Sequence, residues 1–169
     1  MKKVMVVLAC LCFATWTSGR ESSSSAAGSF VGLWKLVRIE VRQADGRMTT
    51  DPDLGPHAAG YIFYDSTGHM GVQLMNPDRP QWKSEDKPTR DEAMSTISGY
   101  EAYTGTYQVH ESEGYVVHRP ELSLSPNGVS RDLKRNFELK GDQLRLTPPP
   151  FRSWNGETLD ATLVWERVR

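Results

Sequence analysis

The stretch FVGLWKLVRIEVR, residues 30–42, decides how the rest of the chain is interpreted. Beyond its glycine, side chains alternate with period two, which is typical of a half-buried β-strand. One face carries Leu33, Lys35, Val37, Ile39 and Val41, and the other carries Trp34, Leu36, Arg38, Glu40 and Arg42. Trp34 therefore falls on the more polar face, where so large a ring needs a defined packing site.

Three further stretches have the pattern of β-hairpins, in which two alternating runs flank turn residues. Their turns are predicted at residues 65–68, 111–114 and 140–142. A last strand is predicted in DATLVWERVR, residues 160–169, where Ala161, Leu163 and Trp165 share a face. The pattern predicts eight or nine strands in total.

One segment, TRDEAMSTISGYEAY at residues 89–103, has a helical pattern. Thr89 followed by Glu92 is a capping box, and Met94 with Ile97 forms a short apolar stripe that would pack over the side or mouth of a sheet. Antiparallel hairpins with one helix between strands 3 and 4 indicate a single all-β domain, either a barrel or a sandwich. A barrel is favoured because closure removes exposed strand edges and about eight strands enclose room for one small ligand.

The first 19 residues have the pattern of a secretory signal, because MKK precedes a short apolar run. That run is too short to span a bilayer, so we expect cleavage near Gly19 and an exported protein, periplasmic or secreted, without an integral membrane span. A lipoprotein signal would use Cys10 or Cys12, but the residues before each cysteine fit such a signal poorly. Residues 20–29 are predicted to be a flexible Ser-rich leader, and residues 30–169 the barrel domain.

The composition excludes several classes of function. Both cysteines lie in the predicted signal, so the mature chain would have neither disulfides nor thiol chemistry. Loss of Lys2 and Lys3 with the signal lowers the basic residues from 20 to 18 against 21 acidic ones, a net charge of about −3 that does not favour a nucleic-acid partner. The four histidines lack metal-site spacing, and no phosphate loop or dinucleotide fingerprint is present, so we expect no metal and no cofactor.

The residues GLW at 32–34, together with WERVR on the last strand, resemble the lipocalin and wider calycin pattern. In that pattern a tryptophan near the start packs against a basic residue from the final strand and closes one end of the barrel. The matching residues here are Gly32, Trp34 and Arg167. The pairing is physically reasonable, since a guanidinium over an indole gains cation–π attraction while it donates hydrogen bonds to loop carbonyls.

The middle of the chain is similar to the bacterial and fungal lipocalin-like domain family. The segments that carry the likeness are GYIFYDSTGHMGVQLM, GYEAYTGTYQVHESEGYVVH, SLSPNGVSRDLKRNFEL and GDQLRLTPPP, and the likeness covers about residues 28–169. The resemblance implies a calycin-type β-barrel. It also implies small-molecule binding, while relatives in fungal biosynthetic pathways resemble isomerases or cyclases.

His118 is the candidate for chemistry. It shares a strand face with Val116 and matches a histidine of the family it resembles. If that face points inward, His118 is a ligand donor or a general base with a pKa near neutrality. The alternative is a histidine that is hydrogen-bonded to a neighbouring strand or loop.

Five other residues are candidate ligand contacts: Tyr61, Gln73, Tyr103, Tyr107 and Arg135. The tyrosines supply amphipathic rings of the kind that line pockets, and the amide of Gln73 either orients a ligand or satisfies a backbone gap. Arg135 lies among apolar neighbours, as a snorkelling strand residue or as a buried cation. The open end of the barrel would be bordered by residues 51–57, residues 76–82 and the helix.

Three functions remain open. The preferred hypothesis is an exported protein that binds a small, largely apolar molecule in the barrel cavity. The second is a cofactor-independent isomerase or cyclase in which His118 or a tyrosine moves a proton on a bound substrate. The third is a non-enzymatic interaction module that uses the outer surface of the barrel.

Overall fold

The computed structural model describes residues 26–43 and 45–169. Two α-helices are present in this part of the chain, α1 at Ala26–Phe30 and α2 at Arg90–Ser98. The β-strands in chain order are β1 Gly32–Arg42, β2 Met48–Thr49, β3 Ala59–Tyr64, β4 His69–Met75, β5 Tyr100–His110, β6 Tyr115–Ser123, β7 Leu133–Lys140, β8 Gln143–Thr147, β9 Phe151–Arg152 and β10 Thr158–Arg167.

The strands form one closed antiparallel barrel. Eight of them are hydrogen-bonded in the order β1-β3-β4-β5-β6-β7-β8-β10, and β10 pairs back with β1 to close the ring. The two-residue strands β2 and β9 extend the edges of β1 and β10. The predicted all-β barrel is therefore confirmed, with ten strands in place of the eight or nine that the alternation indicated.

The three predicted hairpin turns connect β3 to β4, β5 to β6 and β7 to β8. Helix α2 lies between the third and fourth strands of the barrel and begins with the predicted capping box of Thr89 and Glu92. The helix ends at Ser98 rather than at residue 103, because Gly99 caps it and β5 begins at the next residue. Met94 and Ile97 are exposed, so the apolar stripe is not a packing face.

The first strand does not alternate without interruption, as the sequence pattern suggested. Its pairing with β10 shifts register between Leu36 and Arg38, so one residue, Val37, is extra at this point. The bulge reverses the phase of the alternation. Trp34 and Leu36 are buried before it and Val41 after it, whereas an unbroken strand would place Trp34 and Val41 on opposite faces.

One end of the barrel is closed by Trp34 and Arg167, as the resemblance implied. The guanidinium carbon of Arg167 lies 4.0 Å from the centre of the Trp34 ring, and its Nη1 and Nη2 atoms donate to the carbonyls of Val31 and Ser29 at 2.7 and 2.6 Å. Gly32 makes this approach possible, because its φ is +139° and a Cβ there would lie 2.7 Å from Arg167 Nη1.

Residues 26–29, which the sequence placed in a flexible leader, form helix α1 together with Phe30. The carbonyl of Phe30 accepts a hydrogen bond from Trp34 Nε1 at 2.9 Å, and its ring packs edge-on against Tyr64 and Phe137 at centroid distances of 5.1 and 5.0 Å. Helix α1 is thus fixed to the closed end by aromatic packing and by the Arg167 hydrogen bonds.

The predicted signal at residues 1–19 and the start of the predicted leader lie outside the described residues. Among the helices of residues 26–43 and 45–169, none has the length and apolar character needed to cross a membrane.

Replacement of Arg167 by Met should lower the free energy of unfolding by about 2–4 kcal/mol, because it removes two charge-assisted hydrogen bonds and a cation–π contact while the aliphatic stem is kept. Urea unfolding measures the loss. The matched control is Arg169→Met, since Arg169 is largely exposed and pairs with the side chain of Asp142. A loss for Arg167→Met no larger than that of the control would contradict the closing role of Arg167.

Candidate functional site

An interior cavity of about 500 Å³ occupies the end of the barrel opposite Trp34 and Arg167. Its walls are mainly apolar and include Ile39, Ile62, Val72, Leu74, Leu146 and Leu163. The predicted loop at residues 51–57 and the end of α2 contribute to its mouth, but no residue of 76–82 lines it. Segments 123–131 and 148–154 border the cavity instead.

His118 lies at the base of this cavity. Strand β6 turns Val116, His118 and Pro120 toward the interior, and His118 is only 1% exposed. Its Nε2 atom lies 2.8 Å from the hydroxyl oxygen of Tyr64, and its Nδ1 atom lies 2.9 Å from that of Tyr103. Both ring nitrogens are therefore occupied by tyrosine hydroxyls, in a chain that runs from Tyr64 through His118 to Tyr103.

Burial lowers the pKa of His118 well below its ordinary value, and the positive charge of Arg135 lowers it further. Both effects disfavour the imidazolium form, so the ring is neutral around pH 7. The expectation of a general base with a pKa near neutrality is therefore not met. The alternative interpretation, a histidine held by hydrogen bonds to its neighbours, describes the observed geometry.

The two tyrosines of the chain are also held in their neutral forms. Burial raises the pKa of Tyr64, whose ring is 2% exposed, and burial likewise raises the pKa of Tyr103. Tyr64 joins this chain to the closed end through edge-on contacts with Phe30 and Tyr107, with the Tyr64–Tyr107 centroids 4.8 Å apart. The base of the cavity is thus an aromatic layer with three hydrogen-bonding groups in it.

Two charged residues face the same interior. Arg135 projects inward from β7 between Leu133 and Phe137, and Glu101 comes from the start of β5; both line the cavity. Burial raises the pKa of Glu101, while the positive charge of Arg135 opposes that shift. Arg135 Nη1 donates to the carbonyl of Lys134 at 3.0 Å. Arg135 is thus a half-buried cation on the cavity wall.

The remaining predicted ligand contacts lie elsewhere. Tyr61 is 49% exposed on the outer face of β3, and Gln73 is exposed on β4, where its Oε1 accepts a hydrogen bond from Tyr100 at 3.1 Å. Tyr107 points inward, but its hydroxyl donates to the carbonyl of Asp65 at 2.8 Å and its ring belongs to the aromatic layer below the cavity. The structure therefore brings Tyr103, His118 and Arg135 together and separates them from Tyr61 and Gln73.

Trp165 was not among the predicted site residues. It lines the cavity from β10 and is 1% exposed, and its indole Nε1 has no hydrogen-bond partner among the residues that the structure describes. Its position was visible in the alternation with Ala161 and Leu163, which also line the cavity. Glu101 could have been found from the same kind of pattern, because it lies two residues before Tyr103 and therefore on the same face of the strand.

Two carboxylates at the mouth hold the loops there. Asp51 Oδ1 accepts the backbone N–H groups of Asp53 and Leu54 at 2.9 and 2.8 Å, and Asp53 Oδ2 accepts the N–H of Trp154 at 2.9 Å. Desolvation raises the pKa of Asp53. In the described ranges of the chain, no group of three or more His, Cys, Asp or Glu side chains has the arrangement to hold a metal ion.

The unfolding free energy of the protein should fall as the pH drops below about 6.5, because an unfolded chain protonates His118 whereas the folded one does not. This group contributes a slope of up to about 1.4 kcal/mol per pH unit. His118→Gln should remove that part of the slope, as measured by urea unfolding between pH 7.5 and 5.5. Glu101 contributes equally to the pH slope of the wild type and of His118→Gln, so its contribution cancels when the two slopes are compared.

The control for this measurement is Gln108→Ala, because Gln108 is exposed on β5 and its side chain carries no titratable proton. It should keep the wild-type slope. Equal slopes for the wild type and His118→Gln would show that His118 is protonated in the folded protein, contrary to its buried position.

The chain is similar to a fungal protein and to a bacterial one, among others. A 4'-hydroxy-3'-methoxypropiophenone carrier protein of Aspergillus oryzae is 27% identical over 107 residues, which cover 59% of this chain and 96% of that protein. A solved structure of an uncharacterized protein from Bacteroides eggerthii covers 82% of this chain and 99% of its own, with 15% identity and a TM-score of 0.41.

The profile of the lipocalin-like domain family matches residues 31–168, which include all ten strands of the barrel. The match confirms the resemblance to this family that the four segments in the middle of the chain carried. This chain belongs to the lipocalin-like domain family.

Proposed function

We propose that this protein binds and carries a small, largely apolar organic molecule in the barrel cavity. The observation that carries the proposal is the interior space of about 500 Å³, with apolar side chains on its walls and a few polar groups at its base. Volumes of about 300–1,000 Å³ are usual for small-molecule sites, in which apolar walls supply affinity and sparse polar groups supply orientation.

The polar groups favour carrying over catalysis. A general base must be free to take a proton from its substrate, but both nitrogens of His118 contact tyrosine hydroxyls at 2.8 and 2.9 Å. Burial also lowers the pKa of His118, which makes the ring a weak base. An isomerase or cyclase that works through His118 is therefore less well supported than a binding protein.

The fungal relative supports the same role. Its name describes a carrier of a substituted propiophenone, and this chain spans 96% of its length. A barrel with an apolar interior is suited to such a role. The identity of 27% leaves the ligand of this chain to be determined by its own cavity residues.

We further propose that the carrier acts outside the cytoplasm. The support is the sequence of residues 1–19, which has the charged start and apolar run of a secretory signal. Expression of the full chain in a bacterial host should give a mature protein in the periplasm or medium whose mass corresponds to a start near Arg20. A full-length chain retained in the cytoplasm would contradict export.

The purified protein should bind a neutral apolar fluorescent probe, N-phenyl-1-naphthylamine, in a saturable way and lose it to competing apolar molecules. Ala161→Phe should weaken binding at least tenfold, because Ala161 is 1% exposed and lines the cavity, so a phenyl ring there takes up ligand space. Probe fluorescence gives the affinity, and a cooperative thermal melt verifies that the variant is folded.

The matched control is Asp160→Phe, which introduces the same side chain at the preceding, exposed position of β10. Its affinity should equal that of the wild type. If the wild type fails to bind the probe, or if both variants bind as tightly as the wild type, ligand does not occupy the barrel cavity.

A further inference from the structure

The hydroxyl group of Tyr64 determines where the proton of His118 lies. Tyr64 is 2% exposed, and His118 Nε2 is the one hydrogen-bond partner of its hydroxyl within the described chain. A buried hydroxyl needs an acceptor for its hydrogen, and a neutral histidine offers one acceptor nitrogen and one N–H donor. Tyr64 must therefore donate to Nε2, which leaves the proton of the ring on Nδ1.

The same reasoning continues to Tyr103. With its proton on Nδ1, His118 donates to the hydroxyl oxygen of Tyr103 across 2.9 Å. The hydrogen of the Tyr103 hydroxyl is then left for another acceptor, and no described residue accepts it. Because Tyr103 lines the cavity, this hydrogen is a donor that serves the cavity. His118 acts as a positioning residue, since it fixes the direction of the Tyr103 hydroxyl through its own tautomer.

Trp165 lines the same space and carries a second donor that lacks a partner among the described residues. Its indole Nε1 is buried, and no residue in the described ranges accepts its hydrogen. A buried N–H without an acceptor is unfavourable, and a tryptophan in a cavity wall can satisfy it with a ligand. Trp165 is on β10 and Tyr103 on β5, four strands apart in a ring of eight, so the two donors come from opposite walls.

The guanidinium of Arg135, which lines the same cavity, also favours acceptor groups on a ligand. The guanidinium of Arg135 can only donate hydrogen bonds, and it lies on the cavity wall. No carboxylate of the described residues lies within ion-pair distance of it. The Glu101 carboxyl lines the same cavity farther away, and burial raises its pKa, which favours its uncharged form. A ligand with an amine or another cationic group would meet this positive charge, whereas oxygen acceptors are complementary to all three groups.

We infer that the ligand is an oxygenated molecule with acceptor oxygens at two ends, one bound by the Tyr103 hydroxyl and the other by the Trp165 indole N–H. The inference rests on the proposed function, since it identifies the ligand class of the same cavity. Ketones that carry a second oxygen across a rigid apolar body belong to this class. Hydrocarbons of the same shape leave both donors unpaired and therefore bind more weakly.

Three probes of one shape test this inference. They are 4-methoxyacetophenone, 4-isopropenylanisole, in which a CH₂ group replaces the carbonyl oxygen, and 4-ethylacetophenone, in which a CH₂ group replaces the ether oxygen. Titration of the full mature chain by calorimetry should show that each lost oxygen weakens binding about fivefold to tenfold. Each analogue gives one ratio, the affinity for 4-methoxyacetophenone divided by the affinity for that analogue. Tyr103→Phe should reduce one of these two ratios to about one and leave the other unchanged.

The matched control is Tyr115→Phe, whose ring lies on the outer face of β6 and stacks on His110. It should keep both ratios. In a ¹⁵N spectrum of the tryptophan indoles, the Nε1–H proton of Trp165 should move downfield when 4-methoxyacetophenone binds.

The outcomes separate this inference from the proposed function. If all three probes bind the wild type with equal affinity, the cavity is a binding site but the two-acceptor inference is overturned. If Tyr103→Phe keeps both ratios, or if the Trp165 indole signal does not move, the assigned donors are wrong and the inference is likewise overturned. If none of the probes binds, the proposed carrier function fails as well.

Discussion

The contact of Arg167 with Trp34 is the interaction on which the rest of the structure depends. It joins the last strand to the first, and the same guanidinium donates to the carbonyls of Val31 and Ser29, so it also fixes helix α1. One end of the barrel is thereby filled. Because an eight-strand barrel has limited interior volume, filling one end confines ligand space to the other, where the cavity lies.

The base of the cavity follows from the need to satisfy buried polar groups. His118 is buried beside two tyrosines and near Arg135, and each of these conditions disfavours a positive charge on its ring. A neutral ring between two hydroxyls can complete its own hydrogen bonds and those of Tyr64, but it leaves one tyrosine hydrogen over. That surplus, together with the indole N–H of Trp165, which no described residue accepts, makes the apolar cavity selective for oxygen acceptors.

The sequence predicted the architecture more fully than the site. Alternation and turn residues predicted the hairpins because their partners are close along the chain, and the capping box of Thr89 correctly marked the start of α2. Alternation does not indicate which face of a strand points inward, which is why Gln73 and Tyr61 were grouped with the true cavity residues. The Tyr64–His118 hydrogen bond joins residues 54 positions apart, and no local pattern predicts such a contact.

The most direct test of this arrangement is the protonation state of His118, observed by long-range ¹H–¹⁵N NMR of the ¹⁵N-histidine-labelled protein at pH 7 and pH 5.5. The hydrogen-bond arrangement predicts a neutral ring at both values, with the proton on Nδ1 and an unprotonated Nε2 directed at Tyr64. A ring protonated on Nε2, or an imidazolium at pH 5.5, would contradict it. In either case Tyr103 would no longer be fixed as a donor to the cavity.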